Sequence, residues 1–166
     1  MSDAQQTAKT EAARQRIFLV IVDESAEMPV ALYYASRRAR NTGGRVALLY
    51  VIEPAEIQQW AAVEQLMQEE RRQEAEQLLQ KLAKEVNQNA GAVPVLYVRE
   101  GARRDELLNL IDEDPSISIL VLGASTGSEG PGPLISYLAG KGAGRLKIPL
   151  TIVPGGLTKQ QMDAIA

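Results

Sequence analysis

The chain has 166 residues, a formal net charge of −3 and a hydrophobic fraction of 45%, enough for one sizeable core and too little for two comfortable ones. It contains no cysteine and no histidine, which excludes a disulfide framework, thiol catalysis, Cys/His zinc sites and any Ser-His-Asp triad. With a mildly acidic balance and no basic stripe, a nucleic-acid partner has no electrostatic support.

Met1 to Gln15 is polar, lacks the apolar stretch of a signal peptide and reads as a disordered lead-in. No apolar run reaches the ~18 residues that suggest a membrane span, so the chain reads as cytoplasmic and without a membrane partner. The folded domain is expected over 16–154, with 155–166 as a C-terminal tail. Arg16 to Val22 is a continuous β-branched run suited to a strand buried on both faces, and it ends at Asp23-Glu24-Ser25. A helix is predicted from about Pro29 to Arg40, with proline in its first turn and Gly43-Gly44 as its stop.

Arg45 to Ile52 is the second predicted strand, broken by Glu53-Pro54. A long polar helix is predicted over about Glu56 to Asn89. Its second half carries one apolar stripe of Ala75, Leu78, Leu79, Leu82, Ala83 and Val86. The first half, around Trp60 and Met67, is irregular and predicts either an interruption or a helix leaning away from the sheet; these two residues read as ordinary packing or a partner-facing patch. The third strand is predicted over Val93 to Val98. Pro94 inside it points to a sheet edge, because proline cannot donate to a neighbouring ladder.

Gly101 then turns the chain into a helix from about Arg103 to Asp112, ended by Asp114-Pro115. Ile117 to Leu122 is the fourth strand, followed by a glycine-rich loop from Gly123 to Gly132. A helix is expected from Pro133 to Arg145. Its glycines Gly140, Gly142 and Gly144 cost roughly 1 kcal/mol each relative to alanine, so it should be short or frayed. Lys147 to Val153 is the fifth strand, and the tail after Pro154 reads as a small amphipathic or disordered end. The arginine groups at Arg37, Arg38 and Arg40, at Arg71 and Arg72, and at Arg103 and Arg104 read as solvated helix faces.

Strands alternating with helices imply right-handed crossovers and a single-domain α/β fold with a parallel sheet covered on both faces. Ligands in such sheets sit outside the carboxyl ends of the strands where strand order reverses, which directs attention to Asp23 and Gly123.

The order of several segments resembles the universal stress protein family. These are Val22-Asp23, Tyr50 to Pro54, Val98 to Gly101, the fourth strand running into Gly123, and Ile148 to Val153. The resemblance covers about Arg16 to Pro154. It implies a Rossmann-like, five-stranded parallel sheet of order 3-2-1-4-5 and a homodimer paired through the last strand, Leu150 to Val153. It also implies a regulatory, stress-response role without fast chemistry, although slow ATP hydrolysis stays open. One branch of that family binds ATP through a Gly-x2-Gly-x9-Gly-Ser/Thr pattern, with an Asp and a Val contacting adenosine. By resemblance those two are Asp23 and Val51. Gly127, Gly130 and Gly140 reproduce the glycine spacing, with Lys141 in place of the hydroxyl residue. A second register, counted from Gly123, puts Thr126 and Ser136 at the later glycine positions. The expected ligand is ATP or another adenine nucleotide. The alternative is a nucleotide-independent dimeric interaction module, favoured by Glu129, by the loop prolines and by the missing hydroxyl. Read as structure alone, Gly127, Gly130 and Gly132 merely shape a long turn, and Gly140, Gly142 and Gly144 allow close helix packing.

Overall fold

The computed structural model describes residues 15–54 and 61–166. Apart from Gln15, the expected lead-in lies outside the described residues, and so does Trp60. Five strands form one sheet: β1 (Ile17–Ile21), β2 (Arg45–Ile52), β3 (Val95–Glu100), β4 (Ile117–Ala124) and β5 (Leu150–Pro154). All neighbours pair in parallel and the order is β3-β2-β1-β4-β5, as expected. Helices α1 (Met28–Thr42), α2 (Ala61–Ala90), α3 (Arg103–Glu113), α4 (Pro133–Leu138) and α5 (Lys159–Ile165) cover its faces.

Successive strand side chains point to opposite faces, and the two cores follow that rule. Phe18, Val20 and Val22 join Val46 and Leu48 beneath α1 and α2. Leu19 and Ile21 join Ala47, Leu49 and Val51 beneath α3 and α4. Because β1 is apolar on both sides, it can occupy the centre of the sheet. Helix α1 reaches the sheet through Ala31, Ala35 and Ala39, all nearly inaccessible, and these small side chains let its backbone lie close. It stops at Gly43, whose φ of 67° is the left-handed cap conformation that glycine adopts without strain.

Several boundaries differ from the sequence reading. β3 starts at Val95, so Pro94 precedes the strand; β3 is an edge all the same. β5 starts at Leu150 rather than Lys147. Helix α2 runs unbroken for 30 residues, and from Val63 to Glu74 none of its side chains is buried. Of the two expectations for that half, the helix extends past the core without interruption. The expected Pro133–Arg145 helix is six residues, a turn and a three-residue 3-10 segment, Ala143–Arg145. The turn is compact because Gly142 lies against the Tyr137 ring; an added Cβ would sit 2.3 Å from it. The tail forms the amphipathic alternative, α5, and inserts Met162 into the core under α1.

Candidate functional site

The sheet's strand order reverses between β1 and β4, and two adjoining hollows open at their carboxyl ends. The first, about 190 Å³, is floored by Ile21, Val121 and Leu122 and walled by Asp23, Glu27, Gly123 and the Pro131–Ile135 segment. The second, about 300 Å³, is lined by Val22, Asp23, Glu24, Ser25, Tyr50 and Arg103. They meet at Asp23, Ser25 and Arg103, which line both. Together they reach the size range of small-ligand sites, about 300–1,000 Å³.

Asp23 follows β1 and is held by its own turn. Its Oδ1 accepts the Ser25 N–H at 2.9 Å and the Ser25 hydroxyl. This is the Asx-turn that aspartate favours, and it fixes the carboxylate at the mouth of both hollows. Gly123, in β4, is there for steric reasons. A Cβ at this position would lie 2.5 Å from the Glu27 carbonyl oxygen, so glycine lets the start of α1 close over the strand end.

The loop after β4 is pinched shut at its base. The Ser125 N–H donates to the Pro131 carbonyl at 3.0 Å, and the Gly127 N–H donates to the Ser125 hydroxyl at 3.2 Å. Gly127 and Gly130 therefore sit on an exposed loop tip, and neither lines a hollow. Beyond β4, Pro131 and Gly132 of the loop reach the first hollow, followed by Pro133 at the start of α4, and the two prolines bring no N–H. Gly140 and Lys141 are exposed beyond α4, outside both linings. Val51 is 4% exposed and packs in the core beneath α3, while its neighbour Tyr50 lines the second hollow. The structure thus brings Asp23 and Gly123 together and leaves Val51, Gly127, Gly130, Gly140 and Lys141 outside the hollows.

Ser25, Glu27 and Tyr50 line the hollows without having been picked out as site residues in the sequence, and Arg103, expected on a solvated helix face, lines both with its Nε buried. Arg103 had one legible signal. It is the first residue of a helix, where the macrodipole disfavours a cation, so its presence there asks for another reason. Its neighbour Arg104 behaves differently and stacks 4.0 Å over the Tyr137 ring. Among the described residues no group of three potential metal ligands occurs, and no helix is long and apolar enough to cross a membrane.

A parallel sheet of this order, with helices on both faces and an open hollow where the order reverses, defines a single-domain Rossmann-like α/β protein. The chain belongs to the universal stress protein family, whose sequence model matches residues 15–154. No match was found among curated protein sequences. Among solved structures it is similar to universal stress protein UspA from Lactobacillus plantarum: TM-score 0.70, 18% identity, covering 84% of this chain and 98% of that one. It is also similar to a universal stress protein family member from Burkholderia pseudomallei, with TM-score 0.62, 16% identity, and coverage of 86% and 98%. A third similar structure is a universal stress protein in complex with cAMP, with TM-score 0.54, 19% identity, and coverage of 86% and 99%.

Proposed function

We propose that this protein is an adenine-nucleotide-binding, regulatory stress-response homodimer in which binding is the signal and no fast chemistry follows. The observation that carries the reading is the double hollow at the β1–β4 reversal, with the Asp23 carboxylate fixed at its junction. A carboxylate accepts from ribose hydroxyls or an exocyclic amine. The apolar floor of Ile21, Val121 and Leu122 suits the face of a base. The cAMP complex of a similar protein agrees with an adenine nucleotide as the ligand class. Self-association through β5 is supported by its edge position and by Ile152, which is 44% exposed on it.

The reading is tested by thermal unfolding of the purified protein with ATP, AMP and cAMP, alongside native mass spectrometry of the protein as isolated. A ligand at 100 times its dissociation constant stabilises by about 2.7 kcal/mol. For a domain of this size that raises the melting temperature by roughly 5–10 °C. No shift with any of the three at millimolar concentration, and no co-purifying nucleotide, would sink it.

A nucleotide-independent interaction module is the second reading. The loop favours it, because its hydrogen bonds close on themselves and a proline stands on each side of Gly132 in the cleft lining. The same titration separates the two: under this reading dimerisation persists and no nucleotide shifts the unfolding.

A further inference from the structure

Arg103 stands where the two hollows meet. Its Nε is buried with no hydrogen-bond partner among the described residues. None of the salt bridges among the described residues includes it. Buried polar atoms are almost always satisfied, so a guanidinium left without a partner among the described residues, on a side chain that lines both hollows, is suited to an acceptor that a ligand brings. A guanidinium offers five donors in a planar fork that matches phosphate oxygens.

The surroundings set how much negative charge the site tolerates. Asp23, Glu24 and Glu27 line the hollows, against the one guanidinium. A triphosphate would add three to four further negative charges beside those carboxylates, whereas a single phosphate adds one or two. Neutral backbone donors are few: Gly132 of the loop and Leu134 and Ile135 at the start of α4 line the first hollow, while Pro131 and Pro133 bring no N–H.

Resting on the proposed nucleotide reading, we propose that Arg103 is the anion-binding group of this cleft and that the ligand is an adenine nucleotide bearing a single phosphate. The phosphate lies against Arg103 at the junction of the hollows, and specificity against di- and triphosphates comes from the carboxylates and the closed loop.

The test is calorimetric titration of the full chain and of Arg103→Gln with adenosine, AMP, cAMP, and ATP with and without Mg²⁺. AMP or cAMP is expected to bind the wild type about 10–100-fold more tightly than adenosine, the range of one charge-assisted contact. Arg103→Gln removes that preference, read as the ratio of AMP to adenosine affinity within each protein, and ATP binds no more tightly than AMP. A phosphate preference that survives in Arg103→Gln overturns the proposal, and so does ATP binding tenfold more tightly than AMP. In both cases adenosine still binds, so the nucleotide reading stands. If the wild type binds none of the ligands, both fall. Urea unfolding checks that the variant is folded; if it is not, Arg103→Met carries the same comparison, because it keeps the apolar stem and loses the charge.

Discussion

Asp114 joins α3 to β4 and holds that corner through its carboxylate. Oδ1 accepts the Ser116 N–H at 3.0 Å and the Ser116 hydroxyl, while Oδ2 accepts the Tyr97 hydroxyl. The Ser116 hydroxyl first, and Tyr97 second, hold the Asp114 carboxyl below its ordinary range. Burial first, and the bond to Asp114 second, push Tyr97 up to about 12. A depressed carboxyl stabilises the fold fully above its unfolded pKa of about 3.9, and that contribution is lost as pH falls through the folded value. A raised phenol contributes below about 10 and loses its contribution as pH climbs through its folded value. Asp114→Asn should therefore destabilise by about 1–2 kcal/mol at neutral pH. The gap to wild type should narrow as the pH drops below about 4, measured by denaturant unfolding across that range. A gap that stays constant with pH would show that the ionised carboxylate is not the cause. The two adjacent arginines at the start of α3 teach the same lesson about residue context. One stacks on an aromatic ring and the other lines a cavity, although in the sequence they look alike.

Helix α5 shows how a short element holds by anchoring at both ends. Thr158 and Gln161 form a reciprocal capping box at its start. Met162 is buried in the core, and Asp163 receives the Tyr33 hydroxyl at 2.8 Å and pairs with Arg37 at 3.1 Å. Seven residues would not be stable alone in water, so packing supplies the stability. Met162→Ala should cost about 2–4 kcal/mol, whereas Ile165→Ala, at a 60% exposed position, should cost under about 0.5 kcal/mol. Equal costs in urea unfolding would mean the helix is not docked. Helix α2 is anchored differently. Its core stripe begins only at Ala75, and just upstream Arg71 donates to the Glu53 carbonyl and Arg72 pairs with Glu100, both at 3.0 Å. The stretch before them presents Val63, Leu66 and Met67 to solvent.

At the scale of the molecule, the two sheet edges differ. β3 carries Arg99 and Glu100, charged residues that discourage pairing with another chain. β5 carries Leu150, Thr151 and Ile152, and nothing charged. An unprotected edge of this kind is where self-pairing is expected. Wild-type protein should sediment at twice the chain mass, and Ile152→Lys should bring it to the single-chain mass with little loss of stability. A wild-type monomer, or a variant that remains dimeric, would exclude β5 as the interface.

The repeating pattern of the chain was enough to establish a parallel α/β sheet, because strands buried on both faces must be continuous apolar runs and each was separated by a helix-length segment; the order 3-2-1-4-5 came from the resemblance to the universal stress protein family. The reversal point followed from that order, and with it Asp23 and Gly123, which stand directly at strand ends. Boundaries such as the end of α4 were not legible, because the fit of Gly142 against Tyr137 is a contact formed only on folding. The site's remaining walls were decided by tertiary structure for the same reason. Ser25, Tyr50 and Arg103 come from three separate segments, and an unpaired guanidinium nitrogen can be recognised only once every neighbour that might have satisfied it is in place.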